Sequence, residues 1–202
     1  MGKKEKREEI RAELSKAQKA ASQKDLLWKG AVVVVLLGAI AVLGWLFMNS
    51  KSTSAPSVKE LGQQVCFKDD CVHDHIERGT PHAPYNTNPP SNGPHYPTTA
   101  GCKIYSDEVV DEAAIHSLEH GAVWITYKDK NDNQLKTSLE ALVKELGASK
   151  ILLSPRAKND SKIALASWGR VLKLESFDKQ KTTDYVKLYR NGTSAREPLA
   201  TC

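Results

Sequence analysis

Residues 30–48 (GAVVVVLLGAIAVLGWLFM) form a long apolar run without a charge, and at about 1.5 Å per residue they span close to the roughly 30 Å of a bilayer core. Trp28 and Trp45 stand near its ends, where indoles favour the membrane interface. The run therefore predicts a single N-terminal transmembrane helix. It exceeds the about 7–15 apolar residues of a signal-peptide core and follows a long basic stretch, so a retained anchor accounts for it better than a cleaved leader.

Beyond the anchor the apolar positions recur at shorter periods. In residues 107–120, Val109, Ala113, His116 and His120 fall on one helical stripe that borders Ile115 and Leu118. Ser106 or Asp107 offers the N-cap and Gly121 the left-handed stop. Residues 122–127 (AVWITY) read as a buried strand. Leu135, Leu139, Leu142, Val143 and Leu146 predict an amphipathic helix ended by Gly147. Residues 151–153 make a short strand before Pro155, and residues 163–168 (IALASW) make another, continued past Gly169 by 171–174. Residues 177–190 read as a last helix stopped by Asn191-Gly192. The order helix-strand-helix-strand-strand-helix predicts a small α+β domain, with helices on one face of a sheet. Residues 79–101 are dominated by Pro, Gly, Asn and Ser, which excludes a central strand or a helix interior. They form a long, stiff proline-rich loop that holds Tyr85, His95 and Tyr96 at low entropic cost.

Charge orients this layout. Residues 1–29 carry nine Lys or Arg against five acids, and only Lys51 follows the apolar run closely. The positive-inside bias puts residues 1–29 in the cytoplasm, residues 30–48 across the cell membrane, a polar linker at 49–57, and an extracytoplasmic domain at 58–202. The overall charge of +5 comes mostly from the first segment. Acids interleave with its bases and no aromatic platform accompanies them, so a nucleic-acid partner is not expected; the membrane is.

Outside the cytoplasm, the four cysteines Cys66, Cys71, Cys102 and Cys202 are expected as disulfides. Four cysteines allow three connectivities, among which the sequence does not choose. Proximity favours Cys66 with Cys71, and the C-terminal Cys202 makes a staple for Cys102. A zinc site on Cys66, Cys71, His73 and His75 is the alternative, though it would wrap four ligands around one ion within ten residues.

All six histidines lie between His73 and His120, which marks a site. Asn88-Pro89-Pro90-Ser91-x-Gly93-Pro94-His95-Tyr96, His116-x-Leu118-Glu119-His120-Gly121 and Ser167-Trp168-Gly169-Arg170 with Phe177 resemble a bacterial family of membrane-anchored proteins, the domain-of-unknown-function family 3105. The resemblance covers roughly residues 75–198 and implies no particular activity. It marks His75, His95, His116 and His120 as matching family histidines, with His73, His82 and the cysteines as additions of this chain.

Three readings of the cluster follow. Imidazoles at i and i+4 can share one ion, so His116 and His120, with His95 and His75, predict a copper or zinc site, Glu119 orienting a ligand or acting as one. His116-x-x-Glu119-His120 also has the order of a zinc hydrolase motif with Glu119 as general base, a weak signal whose third ligand, Glu197 or Glu175, nothing in the sequence selects. The last reading is a buried polar network without an ion, in a non-enzymatic scaffold for another envelope protein.

Overall fold

Val123–Tyr127 (β2) is an inner strand of a five-stranded sheet, with a neighbouring strand on each side. The structure is a computed structural model that describes residues 60–202; the expected transmembrane helix at 30–48, the basic segment 1–29 and the linker 49–57 lie outside the described residues. Among the described residues no helix is long and apolar enough to cross a membrane. The other strands are Gln63–Gln64 (β1), Ile151–Pro155 (β3), Ile163–Ser167 (β4) and Arg170–Leu174 (β5), and the sheet order is β1-β5-β4-β2-β3. β2 and β3 run parallel and the other neighbours antiparallel. Their parallel crossover is the helix Asn133–Leu146 (α2), capped by the Asp132 side chain on the Leu135 N–H at 2.9 Å.

Every residue of β2, β3 and β4 is buried, so the sheet is covered on both faces. Alternation sorts their side chains into two cores. Val123, Ile125, Ile151, Leu153, Ile163 and Leu165 pack with Leu139 and Val143 of α2 and with Tyr185 and Val186 of the helix Lys179–Tyr189 (α3). Trp124, Leu152, Ala166 and Val171 face the other way, towards Ala114, Ile115 and Leu118 of the helix Asp111–Glu119 (α1). The expectation of helices on one face is thereby corrected: α2 and α3 lie on one face, α1 on the other. Small side chains at Ala164 and Ala166 give α1 and the proline-rich loop room on their side.

The predicted helices form in order, with two additions, β1 and the 3₁₀ turn Lys68–Asp70, and one correction. Residues 163–174 are not one strand continued past Gly169 but the antiparallel pair β4 and β5, because the chain turns back there. The start of α1 is corrected by four residues. Neither Ser106 nor Asp107 caps it, because Asp107 accepts from Lys130 Nζ at 2.6 Å and Glu108 from the Ala157 N–H at 2.8 Å; the cap position is Val110, with no side-chain cap bond. Pro155 belongs to β3, which is an edge strand, where a missing donor is tolerated.

The loop fills the α1 side. Pro89, Pro90, Ser91, Asn92 and Gly93 are all buried, and the two prolines bring no N–H needing a partner. It is fastened at three places: Asn88 to Arg156 and to the Lys158 carbonyl, Ser91 O to the Gly169 N–H at 2.9 Å, and Ala113 O to the Ala100 N–H at 2.9 Å. Gly169, at the β4–β5 turn, has φ +67°, and an added Cβ would stand 2.5 Å from the Cys66 carbonyl oxygen. Gly169→Ala is therefore expected to destabilise by at least about 1–3 kcal/mol, seen as a lower midpoint in thermal unfolding.

Candidate metal centre

His75, His95, His116 and Glu119 offer ligand atoms that all lie within 4.8 Å of one another. Each reaches this point for a local reason. α1 places His116 and Glu119 on its last turn, three residues apart and on adjoining positions of one face. His95 and His75 come from two extended segments joined as a parallel bridge, with Ile76 N–H on His95 O at 2.8 Å and His95 N–H on Asp74 O at 2.9 Å. Gly93, at φ +127°, brings the loop backbone against the Tyr85 ring and turns His95 inward. The rings of His75 and His116 are stacked at 4.9 Å between centroids, and those of His95 and His116 are 5.1 Å apart.

Hydrogen bonds fix the tautomers, because a carbonyl can only accept. His95 Nδ1 donates to Gly93 O at 2.8 Å, His116 Nδ1 to Tyr96 O at 2.6 Å, and His120 Nδ1 to Thr201 O at 2.6 Å. Each ring thus presents Nε2 to the cluster, the arrangement by which metal-binding histidines are oriented. His116 Nε2 and His120 Nε2 then face each other at 3.1 Å. With both Nδ1 atoms protonated, two neutral rings would oppose bare lone pairs there. A proton held between them or a shared cation resolves the conflict. Donors about 2.0–2.1 Å from one ion at a tetrahedral angle stand about 3.3 Å apart, close to what is found here.

Glu119 is almost wholly buried. Its Oε2 accepts from His95 Nε2 at 3.1 Å and lies 3.8 Å from His75 Nε2; its Oε1 accepts from Arg196 Nη1 at 3.1 Å. Burial pushes this carboxyl up, but the hydrogen bonds from His95 and Arg196 and the charges of His95 and His116 outweigh it and hold it at about 2. Such a group is ionised and engaged, which suits a ligand or a charge partner and not a general base, whose pKa should lie near the working pH. Burial pushes the His116 imidazole below its ordinary value, against the Tyr96 carbonyl, so its lone pair is available at neutral pH.

A pH dependence follows from Glu119. Its folded pKa is depressed, so its stabilisation is complete above the ordinary carboxyl value of 4.5 and is lost as pH falls towards about 2. Urea midpoints measured from pH 6 to pH 2 should fall in that window, and Glu119→Gln should flatten this acid limb; equal slopes in both chains would contradict it.

Of the residues singled out in the sequence, the structure brings His75, His95, His116 and Glu119 into one group, with His120 attached through His116. Tyr96 supplies its backbone carbonyl, while its ring lies under Arg78, 5.0 Å from the guanidinium. Tyr85 donates to Pro94 O at 2.8 Å and supports the loop from behind. His73 and His82 bond to Cys71 O and to Ala83 O and Glu112, outside the group. The pairing is Cys66–Cys71 and Cys102–Cys202, so no cysteine among the described residues is free to hold zinc with His73 and His75. Glu197 Oε2 stands 3.5 Å from His120 Nε2; Glu175 lies in the turn after β5.

Two contributors, Arg196 and Thr201, reach the site from the C-terminus and carry no motif. Trp168, which the Ser167-Trp168-Gly169-Arg170 motif contains, packs edge-on against His95 with ring centroids 6.1 Å apart. The terminal Cys202 was the one signal that the tail returns to the domain.

A family model described as "Protein of unknown function (DUF3105)" matches residues 75–202, nearly the whole described domain. No curated protein and no solved structure matches the chain. The chain belongs to the DUF3105 family.

Proposed function

We propose that this DUF3105 member is a membrane-anchored extracytoplasmic protein that binds one transition-metal ion, copper or zinc, through His75, His95, His116 and Glu119, with His120 adjoining. The observation that carries the reading is the meeting of His116 Nε2 and His120 Nε2 at 3.1 Å while both Nδ1 atoms are committed to carbonyls. A cation relieves this opposition. It also replaces a proton at His95 Nε2, where a hydrogen bond to ionised Glu119 otherwise needs one. Imidazole-rich sets with one carboxylate suit zinc and copper(II). Two disulfides agree with an extracytoplasmic address, and the apolar run at 30–48 supplies the anchor.

Calorimetric titration of zinc and of copper(II) into the full chain in mild detergent tests the reading. One ion per chain is expected, with proton release revealed by heats that change with the ionisation enthalpy of the buffer. Absence of stoichiometric uptake of either ion would overturn it.

A second reading has its own support. No buried side-chain nitrogen or oxygen among the described residues lacks a hydrogen-bond partner, so the cluster is also a complete polar network of the kind that can fix a fold without an ion. The domain is then a scaffold for an envelope partner. An unchanged melting temperature after chelator treatment, together with no metal uptake, would favour this reading over the first.

A further inference from the structure

The last residues of the chain lie across the candidate centre, and a covalent bond holds their end. The Glu197 N–H donates to Glu119 O at 2.9 Å and Arg196 Nη1 to Glu119 Oε1 at 3.1 Å. Thr201 O accepts from His120 Nδ1, and Glu197 Oε2 stands beside His120 Nε2. Lys150 Nζ reaches the carbonyls of His120 and Ala200 and ties the segment to the end of α1. Ala195 is buried at one end of the segment and Cys202 is bonded to Cys102 at the other. Between them there is no helix or strand, and Leu199 is 97 % exposed. A terminus with so little apolar burial stays ordered only where it is tied down.

The second disulfide meets the first at one residue. Arg196 Nε donates to Asp69 at 3.0 Å, and Asp69 stands in the turn closed by Cys66–Cys71. Cys66, Cys102 and Cys202 are all partly buried, whereas Cys71 is 2 % exposed and lies against Gly169. Cys102–Cys202 thus offers a reductant two partly exposed sulfurs, and Cys66–Cys71 one.

We propose that residues 195–202 are a thiol-controlled clasp: reduction of Cys102–Cys202 by a dithiol frees the clasp and speeds exchange of the ion at the histidine centre. This rests on the metal reading above. The S–S bond breaks, the dithiol closes to its own disulfide and supplies two electrons, and two protons end on the Cys102 and Cys202 thiols. Release of Thr201 unfixes the His120 tautomer, and release of residues 196–201 uncovers the cluster. Loss of Arg196 leaves more negative charge on Glu119, which favours retention. Affinity therefore feels opposed effects, while loading and unloading both gain access, so rate is the quantity that changes most.

The test uses zinc and the full chain in detergent, with transfer to a chromophoric chelator as the readout. Oxidised chain is compared with chain reduced by a phosphine and desalted before zinc is added, and with Cys102→Ser/Cys202→Ser; Cys66→Ser/Cys71→Ser isolates the other bond. Loading and release are expected to quicken at least roughly tenfold in the reduced chain and in the Cys102/Cys202 variant, the scale on which supporting residues act. Hydrogen exchange without metal gives an independent view: the Glu197 and Ala200 amides should lose protection on reduction. The reduced wild type serves where the double variant does not fold. Normal zinc uptake with unchanged exchange, or strap amides that keep their protection, overturns the clasp alone. Absence of zinc uptake in both redox states overturns the metal reading and the clasp with it.

Discussion

His116→Ala with His120→Ala is expected to weaken zinc and copper binding by well over 100-fold, beyond the roughly 10–100-fold that loss of a supporting residue costs. The pair brings two Nε2 atoms to 3.1 Å, and each is held there by a backbone carbonyl at 2.6 Å. Removing both rings takes away one member of the compact group and the imidazole that adjoins it. The fold should survive, because the apolar face of α1 rests on Ala114, Ile115 and Leu118, which stay in place. His73→Ala and His82→Ala are the controls. Both rings lie outside the group, so binding should be unchanged. Titration of the double variant and the two controls, alongside far-ultraviolet circular dichroism, separates loss of ligands from loss of fold. Undiminished binding in the double variant would contradict the assignment.

Arg156→Ala is expected to destabilise the domain by about 3–5 kcal/mol. Arg156 makes two parallel bonds to Asp111, at 2.8 and 2.9 Å, with its side chain only 6 % exposed. It also donates to Asn88 and Asn159, and its guanidinium lies over the Trp124 ring. Alanine would leave the partly buried Asp111 carboxylate without its cation and the side-chain oxygens of Asn88 and the buried Asn159 without this donor, and would weaken one of the three fastenings of the proline-rich loop. Thermal unfolding should show a drop on the order of 10 °C. Arg156→Lys should recover only part, since an ammonium cannot form the paired bonds of a guanidinium. Metal affinity should fall as well, because the same loop carries His95.

Periodicity was enough to find α2, α3, β2, β3 and β4, because their apolar positions recur and Gly147 and Asn191 punctuate them, but it ran β5 on from β4 past Gly169, where the chain turns back, and it missed the two-residue β1. It was not enough to distribute the helices over two faces. Strands buried on both sides read as continuous apolar runs, and ILLSP and IALAS say nothing about which partner lies above or below. The start of α1 was misread for a related reason: Asp107 has the chemistry of a cap, but Lys130, twenty-three residues later, takes its carboxylate. Within the site, the i, i+4 spacing of His116 and His120 translated directly into facing nitrogens, and the proline-rich loop delivered His95. Arg196 and Thr201 could not be found by spacing, since only the return of the tail to Cys102 brings them near Glu119 and His120.

X-ray absorption at the zinc edge, on full chain loaded with one equivalent, tests the central claim most directly. The account predicts a shell of nitrogen and oxygen only, at about 2.0–2.1 Å, with the outer scattering of about three imidazoles, and loss of that pattern in the His116/His120 double variant. A spectrum of hydrated zinc, or a shell containing sulfur at about 2.3 Å, would contradict it.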